Sequence, residues 1–256
     1  SETDLISNAV LRAIFWIMGI LALCGNSVVF VTTAIKWQRS SLTPVKRGFL
    51  WFILNLSLSD ALMSIYLLGI STQGALLKGN YIQNDYRWRS SNICTALGSL
   101  ALLSSEACVF LMAVMTTFRL ASVYFPFYMS DCSGSWYKFS TSIAWLCAAI
   151  ITVIPIGQFD SGYFINAFGY FGDTSVCMPK LFVKMGDVAC EYSMFLVILN
   201  LVMFMYMAIC YLLIYKVSTR ATTTRITGEC KKLQKRIVIL VVTDFCCWVP
   251  VCVMAC

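Results

Sequence analysis

Three carboxylates stand inside long apolar runs of this chain: Asp60, Glu106 and Asp244. A carboxyl group in hydrocarbon can hold a proton, pair with a cation, or accept hydrogen bonds from a neighbouring helix. Each costs at least about 2.5 kcal/mol at a helix centre on insertion scales, so each should face the interior of a bundle and be partnered or protonated. Asn26, Asn55 and Asn200 lie in apolar runs as well and are the companions expected for them. One such acid would be a tie between two helices. Three on three different helices imply a polar, hydrated interior. Other chemistry is scarce: the 256 residues contain no histidine, which excludes Ser-His-Asp and Cys-His nucleophile systems and any histidine-bearing metal site. The 13 cysteines form no Cys-x-x-Cys pair and lie mostly in apolar runs, where a thiol behaves as a small hydrophobe. With no glycine-rich or paired metal-ligand motif either, an enzyme is not expected.

The elements that must position these acids follow from composition. The chain is 59% hydrophobic and 12% charged, against roughly a quarter charged in an ordinary soluble domain, which excludes a water-soluble globule. A bilayer core about 30 Å thick needs roughly 20 apolar helical residues. Six runs qualify, at about 10–36, 47–77, 91–123, 137–158, 188–217 and 230–256, and the only charges in their apolar cores are the three carboxylates. Backbone polar groups find no water in hydrocarbon, so each run should be helical. No alternating ten-residue strands suggest a barrel. Asn55-Leu56-Ser57 matches a glycosylation sequon but falls inside a span and is discounted.

Counting charges in the connections orients the bundle. The segments after spans one, three and five carry thirteen Lys and Arg and a net +11, whereas the other side nets −1. The amino terminus is therefore expected outside. The overall +7 is confined to one face and reads as a topology signal, not as nucleic-acid binding. No repeat or Gly/Ser linker divides the chain, so a single bundle is expected, with the long loop 160–186 outside, where a ligand can be met.

The chain carries Gly25-Asn26 in span one and Asn55-Leu56-Ser57-Leu58-Ser59-Asp60 in span two. Cys94 opens span three and Arg119 closes it 25 residues later; Trp145 stands in span four, Tyr211 near the inner end of span five, and Cys247-Trp248-Val249-Pro250 in span six. This ordered set resembles the rhodopsin-like seven-helix receptors coupled to G proteins. A narrower likeness, through Gly98 to Glu106, Tyr124-Phe125-Pro126-Phe127 and Thr243 to Pro250, is to the leucine-rich-repeat-bearing hormone receptors, the relaxin type among them; Asp4-Leu5-Ile6 and Leu11-Arg12 resemble that group's junction into the first helix. The resemblance implies an all-α membrane protein, a seven-transmembrane-receptor bundle with six spans present. The seventh helix, with its Asn-Pro-x-x-Tyr element, and the repeat domain are not among these residues, and a fragment is expected.

What the resemblance implies for individual residues is specific. Cys94 and Cys177 would form a disulfide, worth roughly 4 to 5 kcal/mol in the chain-entropy model. Asn26 and Asp60 would form a polar core holding water or a sodium ion, no other cofactor being implied. Glu106, Asn200 and Asp244 would lock the interior, Trp145 would be structural, and Trp248 with Pro250 would form a toggle and hinge. Arg119, Tyr211, Lys231, Lys232 and Lys235 would face the heterotrimeric G protein. The implied partners are an extracellular peptide or protein hormone, that G protein and the plasma-membrane bilayer. The pattern departs at Phe118 and Leu120, which replace the acid and the tyrosine that flank the arginine in the family, and at Cys230, where many relatives place another acid. Elevated basal signalling is therefore expected; poor coupling is the alternative, and the sequence does not decide between them. The competing reading is a six-helix transporter or channel subunit using its midplane carboxylates.

Overall fold

The computed structural model describes residues 4–38, 42–130, 135–156, 168–179 and 189–220. The sixth expected span, with Lys231, Lys232, Lys235, Asp244, Trp248 and Pro250, lies outside the described residues. The described residues form helices and turns, with no strand among them.

Each long helix begins where local chemistry supplies a cap. Asn8 accepts the Val10 N–H at 2.8 Å to start α1 (Ala9–Trp37). Thr43 caps α2 (Pro44–Leu76), whose first position is a proline that lacks the N–H a helix start leaves unused. Ser91 accepts from the Cys94 N–H to start the fourth helix, Asn92–Tyr124, here α4. Before it lies a helix that the apolar pattern does not announce, α3 (Tyr81–Arg89), entered through Gly79 at φ +80°. It is short and polar, so hydrophobic periodicity carries no trace of it. A further short helix, α5 (Pro126–Ser130), follows α4. Next come α6 (Ser135–Val153), which stops just before Pro155 and so short of the expected residue 158, and α7 (Cys190–Arg220). Five of these, α1, α2, α4, α6 and α7, are long and apolar enough to cross a membrane.

The helix α4 is the centre of the bundle, packing against α2, α6 and α7, while α1 leans on α2. More than half of the apolar stretch of α4 is buried, against almost none of that of α1. Val10, Leu21, Val28, Ile198 and Leu212 point outward. In a bilayer these side chains meet lipid, so their exposure needs no other partner. Between α2 and α4 two serines are exchanged: the Ser59 hydroxyl donates to the Ser104 carbonyl at 2.8 Å and the Ser104 hydroxyl to the Ser59 carbonyl at 2.9 Å. Small residues that hydrogen-bond across a close helix contact are the usual means of association where no hydrophobic effect operates.

One end of the bundle is closed by a cap built on the Cys94–Cys177 disulfide, which joins the start of α4 to the loop before α7 with Cα atoms 5.3 Å apart. Leu5 and Ile6, ahead of α1, are buried in the same cluster as Tyr66, Ile70, Trp88 and Cys177. The loop carbonyls there are taken up by side chains from three directions. Tyr66 donates to the Val176 carbonyl at 2.7 Å, Trp88 to Ser175 at 2.8 Å, and Arg89 to Gly172 at 2.7 Å and Asp173 at 3.1 Å. Asp4 accepts from the Gly79 N–H at 3.0 Å and pairs with Arg12, and these two contacts hold its carboxyl below the usual range.

Gly98 lies one turn beyond Cys94 on the same face of α4. A Cβ there would come within 2.6 Å of the Cys177 carbonyl oxygen, backbone that the disulfide prevents from retreating. Gly98→Ala should therefore cost about 1 to 2 kcal/mol by overpacking, read as a lower unfolding midpoint of the purified protein. Gly25→Ala, with nothing within 4 Å of its Cβ, is the control and should leave the midpoint near wild type.

Candidate functional site

Beneath the cap, between α2, α4 and α7, lies a cavity of about 90 Å³, enough for several waters. Tyr66, Leu102, Met178 and Leu196 wall it, and Ser105, Glu106 and Asn200 are among its polar residues. Glu106 and Asn200 are each 1% exposed. One turn of α7 separates Asn200 from Leu196, so the Asn200 amide can reach back to its own helix and across to α4 at once. It donates to the Leu196 carbonyl and to Glu106 Oε1, each at 2.9 Å. The Asn200 carbonyl oxygen and Glu106 Oε2 have no hydrogen-bond partner among the described residues. The arrangement is a helix-to-helix tie that still offers two acceptors to the cavity.

The other expected polar residues lie on α1, α2 and α6. Asp60 lies on α2 with the Cys108 thiol of α4 3.9 Å from its carboxylate, and its carbonyl accepts from Ser64 at 2.7 Å. The Asn26 amide donates to Ala22 of its own helix at 3.0 Å. No step is routed through a sodium ion at Asp60. Asn55 departs from its expected place beside a carboxylate: its amide donates to Trp51 at 2.9 Å and its carbonyl accepts from the Trp145 indole at 3.1 Å. The reason is position. Asn55 sits on the side of α2 that meets α6, whereas Ser59, one turn on, meets α4. Trp145→Phe keeps an aromatic ring, though a smaller one, but loses this bond and orphans the Asn55 oxygen. A loss of about 1 kcal/mol in unfolding free energy is expected, and Asn55→Leu in that background should add little.

Towards the other end of α4, Arg119 is 6% exposed. Its neighbour Phe118 is buried in an aromatic nest, with ring centroids 5.2 Å from Phe49, 5.4 Å from Phe52 and 5.6 Å from Trp136. Gly48 makes room for it, since a Cβ there would sit 2.8 Å from the Phe118 ring. An acid at position 118 would need a partner in this nest, and the Phe118 ring fills it by packing instead. One turn earlier Thr116 donates to the Tyr211 hydroxyl of α7 at 3.3 Å, and Thr117 and Tyr206 share a bond of 2.7 Å. Sequence reasoning placed Arg119 and Tyr211 at this depth but missed Ser59, Ser104, Thr116 and the cap residues Tyr66, Trp88 and Arg89. Only their side-chain hydrogen bonds to residues distant in sequence give them away, and no local pattern encodes those.

The pattern of the 7 transmembrane receptor (rhodopsin family) matches residues 25–256. The chain is 33% identical over 256 residues to the G-protein coupled receptor GRL101 of Lymnaea stagnalis, covering 98% of this chain and 22% of that protein. It is 24% identical to the thyrotropin receptor of Ovis aries, covering 97% and 30%, and 26% identical to the lutropin-choriogonadotropic hormone receptor of Bos taurus, covering 97% and 33%. The chain thus spans between about a fifth and a third of the length of these relatives. The match gives the transporter and channel reading no support. With cap, cavity and central arginine in place along one helix, the chain belongs to the rhodopsin family of seven-transmembrane receptors.

Proposed function

We propose that this bundle is the signal-passing part of a plasma-membrane receptor that relays the binding of an extracellular peptide or protein hormone to an intracellular heterotrimeric G protein. The observation that carries the reading is the course of α4. A disulfide ties it to the cap at one end, Glu106 links it to α7 at mid-depth, and Arg119 lies near its other end. A displacement of the cap is thereby applied to the helix whose far end bears the arginine. In this reading the cap and the amino terminus are outside, in agreement with the positive charge of the opposite connections. The hormone class is suggested by the names of the thyrotropin and lutropin-choriogonadotropic hormone receptors, to which the chain is similar.

The test uses the full-length receptor in cells at matched surface levels, with G-protein activation as the readout. With Phe118 where an ionic restraint would stand, basal output should exceed that of cells lacking the receptor. Arg119→Ala should lower basal and hormone-driven output by at least about five-fold, the small end of ordinary coupling energies. Asp60→Asn should change the ratio of basal to stimulated output. A receptor silent without hormone, and unaffected by Arg119→Ala when hormone is present, would refute the proposal.

A further inference from the structure

The end of α6 has a gap in its own hydrogen bonding. The Ile154 N–H still reaches the Ile150 carbonyl at 3.2 Å, and the next bond of the ladder would run from residue 155 to the Ile151 carbonyl. Residue 155 is proline, which has no N–H to give, so the helix cannot supply that bond itself. Ile151 and Pro155 are both buried, and a buried carbonyl left without a donor is costly, most of all in a membrane. The donor comes from another helix. The Tyr192 hydroxyl of α7 bonds to the Ile151 carbonyl at 2.6 Å, so the proline of one helix and the tyrosine of the other make two halves of one contact.

Tyr192 is also where the loop before α7 meets that helix. Its ring packs edge-on against Tyr170, with centroids 5.4 Å apart, and the Tyr170 hydroxyl lies 3.3 Å from that of Ser193. Tyr170 packs in turn on Phe171, whose ring stands against Gly98 of α4. Ala189, immediately before α7, has φ +62° and is buried in the same cluster as Ile151, Tyr170 and Tyr192. A non-glycine residue keeps a left-handed backbone only where its surroundings over-determine it, so packing fixes the entry of α7 at this point.

From this geometry we propose that Tyr192 is a positioning residue: by supplying the bond that Pro155 withholds, its hydroxyl fixes α7 to α6 at the cap end, so that a displacement of the loop bears on α7 as well as on α4. The disulfide gives the loop its hold on α4, and the Tyr170 ring gives it a second hold, on α7. The proposal deepens the receptor reading and rests on it for what the positioning serves; the bond between the helices does not depend on that reading.

Two substitutions separate positioning from mere support of a carbonyl. Tyr192→Phe keeps the ring against Tyr170 and removes the donor. Adding Pro155→Ala gives α6 an N–H of its own for the Ile151 carbonyl, but restores no bond between the helices. Purified full-length receptor bearing Tyr192→Phe should unfold about 2 to 4 °C lower, and the combined protein should recover most of that fall. Amide hydrogen exchange in the first turns of α7, followed by mass spectrometry, should speed up about three-fold in Tyr192→Phe, the effect of losing an average bond between membrane helices, and should stay fast in the combined protein. In cells at matched surface levels, the hormone concentration for half-maximal G-protein activation should rise by at least about three-fold in both. A combined protein whose exchange and hormone response return to wild type with its midpoint would make Tyr192 a prop for one carbonyl and would overturn the proposal. So would a wild-type midpoint or exchange rate in Tyr192→Phe, no recovery of the midpoint on adding Pro155→Ala, or an unchanged hormone response in a receptor that Arg119→Ala silences. Failure of the receptor reading shows elsewhere, as a wild type without hormone-driven output, and the midpoints and exchange rates would still decide the bond between α6 and α7.

Discussion

Purified receptor bearing Cys177→Ser is expected to lose about 4.5 kcal/mol of stability, the loop-closure entropy that a bridge across this separation removes from the unfolded chain. The bridge spans 83 positions and joins α4 to the loop that roofs the cavity. The loss should appear as a fall of about 10 °C or more in the unfolding midpoint. Cys94→Ser should do the same, and the double substitution should cost no more than either single one, since one bond cannot be broken twice. Cys147→Ser, on the half-buried face of α6, is the control and should change the midpoint little. Two additive single losses would show that the thiols act separately and that the bridge is not what holds the cap. Loss of the bridge should also release strain: Cys177 has φ +53°, a left-handed conformation that a non-glycine residue adopts at a cost, and it keeps that conformation because the cap surrounds it. The carbonyls of Ser175 and Val176 would then leave Trp88 and Tyr66. Proteolysis within residues 168–179 should therefore accelerate in Cys177→Ser at temperatures where wild type resists.

Asn200→Ala should be the second most damaging single change, at about 2 to 3 kcal/mol, because it removes the described donor to Glu106 and leaves both carboxyl oxygens buried without one. Hydrogen bonds between membrane helices average about 0.6 kcal/mol when both partners are ordinary polar groups, so a value several times larger marks the special position of a buried carboxyl. Glu106→Leu should cost less, since the Asn200 amide retains the Leu196 carbonyl. The combined Glu106→Leu, Asn200→Ala protein should be close to Glu106→Leu alone or better, because removing both partners of a buried polar pair spares the desolvation that breaking it exposes. Unfolding midpoints of the four proteins close the cycle. Strict additivity would mean that the bond between α4 and α7 carries no coupling energy.

How far the fold can be read from sequence depends on what kind of information positions each part. The apolar spans were legible, because hydrocarbon imposes one rule along some twenty residues and that rule shows as absent charge. Cys94, Cys177, Glu106 and Asn200 were legible through residue type at the right depth, although the bond between Glu106 and Asn200 is a fact of helix rotation that depth alone leaves open. Asn55 shows the limit. It stands five residues before Asp60 in an apolar run and was expected beside a carboxylate, yet a rotation of a little over one turn turns it to Trp145 instead. Apart from its disulfide, the cap was not legible. Trp88 and Arg89 acquire their roles by donating to carbonyls more than eighty residues away and Leu5 by accepting from the Ser175 hydroxyl, and a polar nine-residue helix gives no periodic signal by which to place the first two.

The aromatic nest around Phe118 has a mechanical consequence. Its ring is wedged among Phe49 and Phe52 of α2 and Trp136 of α6, so three helices are keyed together at that level by interlocking rings. Close-packed interiors shift as blocks and do not stretch. A rearrangement there would have to carry α2, α4 and α6 as one stiff keel, and the yielding part would be α7, whose ties to α4 at this depth are the hydroxyl bonds of Thr116 and Thr117. Such bonds can exchange partners without opening a void, which makes α7, packed on α4 through Phe204 and Met207, the plank that can shift against the keel.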